Sequence, residues 1–162
     1  MVRLVDMTEH NHPGDTRVVV LIGSLRSDSY NRRIAERLQS EAPTGVTVEF
    51  AAGLADLPFY NEELDGDEVP VAARALRAQV SGADRVLAVT PEYNGTMPAV
   101  LNNAIDWLSR PYGVGALQAK PFAVVGATPT RFGGKWSHED ARRSATIAGA
   151  DVVPDLVLSH ST

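Results

Sequence analysis

The chain has 162 residues, 44% of them hydrophobic and 22% charged, which suits one compact domain and leaves no room for a second. A formal net charge of −5 with interspersed Lys and Arg lacks the basic stripe that a nucleic-acid surface needs. With no cysteine, disulfides, thiolate chemistry, Cys-ligated zinc and iron–sulfur clusters are excluded, so redox work would require a bound cofactor.

Residues 1–16 (MVRLVDMTEHNHPGDT) read as a flexible polar arm without the apolar core of a secretory signal, and residues 17–162 as a single domain. His10 and His12 have no third ligand at a supporting spacing, so the arm is not expected to hold a metal. No later apolar run is long enough to cross a bilayer, which makes a cytoplasmic location with no membrane partner the expectation.

The first strand is expected at 18–22 (VVVLI), a wholly apolar, β-branched run of the kind buried on both faces of a parallel sheet. A helical pattern follows at 30–41, then a strand at 46–50 (VTVEF) and a helix at 70–81, with Pro70 near its start. The third strand is expected at 85–90 (RVLAVT) and the next helix at 97–109, again opening near a proline, Pro98. Strand four is read at 121–126 (PFAVVG) and the last helix at 137–149, where Ser137 and Asp140 have capping-box spacing and Gly149 is a natural stop. Strand five, 152–158, contains Pro154, which cannot donate to a ladder and fits a sheet edge.

This alternation predicts a flavodoxin-like α/β fold: a doubly wound, five-stranded parallel sheet of order 2-1-3-4-5 with helices on both faces. Ligands of such sheets bind beyond the carboxyl ends of the strands, which directs attention to the loops after strands 1, 3 and 4.

The first loop, GSLRSDSYN at 23–31, leads into a helix and offers backbone amides, serine hydroxyls and one guanidinium, a donor set suited to a phosphate dianion. Ser24, Arg26, Ser29 and Asn31 are the candidates; ordinary turn and N-cap residues beside a solvated arginine fit the local composition equally. The loop matches neither GxGxxG nor a Walker A sequence. The second loop, TPEYNGTMP at 90–98, has backbone groups for the polar edge of a planar ring and Tyr93 for a wall, and also fits a purely structural turn. Its Asn94-Gly95-Thr96 matches a glycosylation sequon, for which a turn is the better explanation. The third, ATPTRFGGK at 127–135, is polar and glycine-rich; His138 and Glu139 nearby do not make HExxH, because Arg142 stands at the second histidine position.

GSLRSDSYN at 23–31, PEYNGTMPAVLNNAIDWLSRP at 91–111 and KPFAVVGATPTRFGG at 120–134 resemble, in order and spacing, the NADPH-dependent FMN reductases, which include soluble chromate, quinone and azo-dye reductases. The resemblance implies non-covalent FMN with its phosphate in the first loop, at Ser24, Arg26, Ser29, Tyr30 and Asn31. It implies the isoalloxazine ring against Pro91, Glu92, Tyr93, Asn94 and Gly95, with Thr128 and Gly133 completing the cofactor site. Hydride would pass from NADPH or NADH to the flavin and on to a quinone, a free flavin or a similar small acceptor in ping-pong order, with no catalytic side chain. Arg131 or Lys135 could attract a phosphate of the nicotinamide dinucleotide, a solvated loop charge being the plainer reading.

A homodimer or homotetramer formed through helix 97–109 is also implied, with Trp107 and Arg110 as interface candidates; core packing is the alternative for Trp107. Asn102 stands where the family commonly has a lysine, and the chain stops at Thr162, where relatives continue into a final helix over one sheet face. The alternative function is a flavodoxin-type electron carrier, or a flavin-binding sensor, without nicotinamide turnover.

Overall fold

A computed structural model describes residues 14–161; the greater part of the expected arm, with His10 and His12, lies outside the described residues. Five strands form one all-parallel sheet of order β2-β1-β3-β4-β5, as the alternation predicts. They are β1 (Thr16–Ile22), β2 (Val46–Phe50), β3 (Arg85–Val89), β4 (Pro121–Thr128) and β5 (Asp151–Ser161), with α1 (Tyr30–Ser40), α2 (Val71–Ser81), α3 (Ala99–Leu108) and α4 (Lys135–Ile147) between them.

The central strands are apolar on both faces because both are covered. Val19 and Leu21 of β1, Val86 and Ala88 of β3, and Phe122 and Val124 of β4 pack with α2, α3 and α4 into the larger core. Val20, Ile22, Val89 and Val125 alternate to the other face, where Ala35 and Ile34 of α1 meet them. A shallow groove of about 330 Å³ lies on that second face, walled by Val18, Leu38, Pro43, Val48 and Leu87.

Pro154 behaves as its missing N–H demands. β5 is an edge strand, and its register against β4 slips between the Phe122↔Val152 and Val124↔Val157 pairs, so that Pro154 sits in the interruption.

The expected capping box at Ser137 is corrected: α4 begins two residues earlier, at Lys135, behind Gly133 and Gly134 with φ of 60° and 83°. Two consecutive left-handed residues turn the chain into the helix, a conformation that glycine adopts without steric cost. Ser137 and Asp140 therefore lie inside the helix, and both reach across to another loop. Gly149, with φ of 93°, ends α4 as expected, the amides at 148, 149 and 150 returning to carbonyls of its last turns.

The long connection between β2 and α2 is tied down by α3. Asn103 accepts from the Tyr60 amide at 2.8 Å and donates to the Pro58 carbonyl at 3.0 Å. Four residues on, and so on the same helix face, the Trp107 indole N–H donates to that same carbonyl at 2.8 Å. The Trp107 side chain is fully buried, with the Tyr60 ring edge-on at 5.0 Å. This corrects the expectation of an interface role: its surface is already spent inside one chain.

Arg77 of α2 closes the same connection, donating to both oxygens of Asp65 at 2.7 and 2.8 Å and to the Trp107 carbonyl at 2.9 Å. The guanidinium hydrogen bonds hold the Asp65 carboxyl below its ordinary pKa, against the opposing effect of burial. A lowered carboxylate pKa contributes stability that is present above the unfolded value and is lost as pH falls through the folded one. Asp65→Asn is thus expected to cost about 2 kcal/mol at pH 7, with the difference from wild type shrinking below about pH 4. Urea midpoints measured across pH 3–7 check it; a cost that persists undiminished into acid would refute the ion-pair account.

Candidate functional site

The three polar loops meet because the strands preceding them end side by side. Ile22 pairs with Val89, and Val89 with Val125, so the carboxyl ends of β1, β3 and β4 are in register. The pairing continues past the strands: the Gly23 amide donates to the Val89 carbonyl at 2.8 Å, and the Thr90 amide to the Val125 carbonyl at 3.0 Å.

In the first loop, Ser29 is the N-cap of α1, with its hydroxyl accepting from the Arg32 amide at 3.0 Å. The first-turn amides of Tyr30 and Asn31 have no acceptor within the helix, and this turn carries no acidic residue, so the positive end of the helix dipole faces the loop. Ser24 and Ser29 are buried, whereas Arg26 is exposed and makes a long hydrogen bond, 3.4 Å, to the Asp28 carbonyl. Tyr30 is half exposed beneath the Arg33 guanidinium.

Asn31 is placed differently from the expectation. Its side-chain amide donates to the Ala127 carbonyl and accepts from the Ala127 amide, each at 2.9 Å, and it is buried. It fastens the start of α1 to the end of β4, which leaves its backbone N–H, rather than its side chain, facing the loop.

In the second loop, Tyr93 and Thr96 exchange two backbone hydrogen bonds of 3.0 and 3.1 Å around Asn94 and Gly95. Both central residues have positive φ, 54° and 75°, the type I′ pattern for which Asn-Gly is the preferred pair. That geometry accounts for the apparent sequon. Pro91 is buried at the base, while Tyr93, Asn94 and Gly95 are exposed at the tip. A cleft of about 570 Å³ flanks the turn, between Tyr93, Met97, Pro98, Asn102 and Asp140.

Glu92 points away from that tip. Its carboxylate accepts from the Trp136 and Ser137 amides at 3.1 and 3.2 Å, capping α4, whose own N-cap position is a glycine. Here the carboxylate meets the positive end of a helix. Sequence reasoning missed this contact, since nothing local to either segment signals the other.

In the third loop, Thr128 ends β4 with its side chain buried, and Gly133 is buried at the approach to α4. Arg131 lies over the Phe132 ring, which is 4.6 Å from that of Trp136, and Lys135 stands 3.9 Å from Glu139. Beneath the loop His138 is fully buried; desolvation pushes its pKa down, opposed by a hydrogen bond at the Thr90 backbone.

This arrangement fits FMN chemically. It combines buried hydroxyls, amides at a helix N-terminus and an available guanidinium for a phosphate with a projecting backbone turn beside it for a flat heterocycle. A second cleft, of about 440 Å³, opens at the opposite edge of the sheet among Asp106, Arg110, Tyr112, Gln118 and Ser144. Burial pushes the Asp106 carboxyl pKa up there, and Arg110 draws it back. Among the described residues no group of His, Asp and Glu has metal-site geometry, and no helix is long and apolar enough to cross a membrane.

The chain is 38% identical over 148 residues to a 2-hydroxy-1,4-benzoquinone reductase of Burkholderia sp., covering 89% of this chain and 79% of that protein. It is 42% identical over 127 residues to a quinone reductase of Pseudomonas putida, covering 78% and 68%. Among solved structures it resembles FerB, a flavoenzyme NAD(P)H:(acceptor) oxidoreductase from Paracoccus denitrificans. The TM-score is 0.82 at 34% identity, covering 88% of this chain and 78% of that one. The sequence profile described as NADPH-dependent FMN reductase matches residues 16–162, and the chain belongs to that family.

Proposed function

We propose that the carboxyl edge of the sheet binds FMN non-covalently and that the protein is an oxidoreductase passing electrons from NADPH or NADH to a quinone, a free flavin or a similar small acceptor. The observation that carries the reading is the convergence of three polar loops at the ends of β1, β3 and β4, in a chain of the FMN reductase family. Bound FMN would supply the redox chemistry, accepting hydride from the nicotinamide and delivering it to the acceptor in ping-pong order.

The protein's part is binding and positioning. Ser24, Arg26, Ser29 and the amides of Tyr30 and Asn31 are assigned to the phosphate through charge-assisted hydrogen bonds at the start of α1. Pro91, Tyr93, Asn94 and Gly95 are assigned to the ring, Thr128 and Gly133 to its margin, and Glu92 to the α4 cap that supports the turn. Backbone amides of the turn would favour the reduced ring as its charge develops.

The test is to follow the flavin spectrum of FMN-loaded protein: bleaching with NADPH or NADH and recovery with benzoquinone are expected. Retained FMN that ignores both nicotinamides would overturn the reductase reading in favour of an electron carrier. The phosphate assignment has its own check. Arg26→Ala is expected to weaken FMN about tenfold while leaving riboflavin, which lacks the phosphate, unaffected. Equal losses for the two ligands would refute it.

A homo-oligomer and a cytoplasmic location belong to the same proposal. With Trp107 removed from the candidates, support for the oligomer shifts to Arg110 and the exposed Tyr112 and Ile147 around the second cleft. Sedimentation velocity of wild type against Ile147→Asp tests the oligomer, a change of mass being the expected result.

A further inference from the structure

Two flanks of the 91–97 turn are pinned to α4, and no local sequence pattern requires it. On the entry side, Glu92 caps the helix through the Trp136 and Ser137 amides, and the Ser137 hydroxyl donates to the Pro91 carbonyl at 2.7 Å. On the exit side, the Asp140 carboxylate accepts from the Thr96 hydroxyl and from the Met97 amide at 3.4 Å. Between these anchors, Tyr93, Asn94 and Gly95 stand exposed on a tight turn whose own closure is two backbone hydrogen bonds. An isolated two-residue hairpin is marginally stable in water, so the orientation of its amides is set by what holds its ends.

We infer that Asp140, with Ser137, is a positioning residue: α4 clamps the turn so that its backbone presents a fixed set of donors to the flavin ring. Asp140 touches the turn at Thr96 and Met97, and it acts through them. It also pairs with Arg143, and its side chain is only 20% exposed. The inference rests on the FMN reading above and extends it to helix residues to which that reading gives no task. Preorganised donors aimed at developing charge stabilise the reduced ring more than the oxidised one, so a loosened turn weakens binding and also disfavours reduction.

The experiment compares Asp140→Ala, Asp140→Asn and Arg143→Ala, measuring the FMN dissociation constant by fluorescence titration and the reduction potential of the bound flavin. Asp140→Ala is expected to bind FMN about tenfold more weakly and to shift the potential to more negative values. Asp140→Asn, which keeps an acceptor, recovers most of both; Arg143→Ala, which removes only the ion pair, changes neither. Wild-type affinity and potential in Asp140→Ala would overturn the clamp, as would an equal loss in Arg143→Ala. Should Asp140→Ala not fold, Thr96→Val removes the contact from the turn's side and carries the same two expectations. If the wild-type protein retains no FMN, the FMN reading itself fails. The clamp is then judged by amide exchange at Thr96 and Met97 in the ligand-free protein, where unchanged exchange in the Asp140 or Thr96 variant overturns it.

Discussion

Trp107→Ala is expected to lower stability by about 4 kcal/mol, enough to leave a protein of ordinary stability partly unfolded at 37 °C. The indole is fully buried between α2, α3 and the segment around Pro58, so its removal opens a cavity in the larger core. It also takes away the donor to the Pro58 carbonyl and the ring under the Arg77 guanidinium, 5.4 Å away. Trp107→Phe separates these contributions: it keeps most of the volume but drops the N–H, and is expected to cost about 2 kcal/mol. Urea unfolding of the two variants gives both numbers. A loss confined to oligomer dissociation, with the unfolding midpoint unchanged, would restore Trp107 to the interface and contradict its burial.

Gly126→Ala carries the second large effect, for a reason unrelated to backbone freedom. A Cβ at this position would lie 2.0 Å from the Thr90 carbonyl oxygen and 2.9 Å from His138 Nε2. The first neighbour is backbone and cannot turn aside, so β3 and β4 must part at the edge where the loops converge. The expected cost is about 3 kcal/mol, with FMN binding lost even in molecules that fold. Gly95→Ala is the instructive contrast: nothing lies within 4 Å of its Cβ, and only its φ of 75° is unfavourable. That substitution is expected to cost about 1 kcal/mol. Thermal melts of both, with FMN titration, check the pair; equal effects would mean that crowding at Thr90 is relieved more easily than the strand geometry allows.

How much of this was legible beforehand divides along the range of the interactions. Strand runs such as VVVLI and the Pro-led helices declare themselves locally, because burial on both faces and first-turn chemistry leave their mark within ten residues. The same local logic misread Ser137 and Asp140. Their capping-box spacing is real, but Gly133 and Gly134 start the helix sooner and free both side chains to hold the turn after β3. Asn31 was legible as a polar residue at a helix start, while its partner, 96 residues away, was not. The NAIDW segment was recognisable as a motif, but only the fold shows that Asn103 and Trp107 share the Pro58 carbonyl.

The bond between Asn31 and Ala127 bears on whether such a site can be moved. A side-chain amide that donates to the carbonyl and accepts from the N–H of one residue does what a neighbouring strand would do, and so extends the sheet by one residue into the helix. The GSLRSDSYN stretch is therefore not a portable cassette: grafted into another scaffold, it would bring its hydroxyls and its arginine but not the strand end that orients them. What can be transplanted as a unit is larger, the span from β1 through the first turns of α4, because that span contains both partners of the Asn31, Glu92, Ser137 and Asp140 contacts that join the loops.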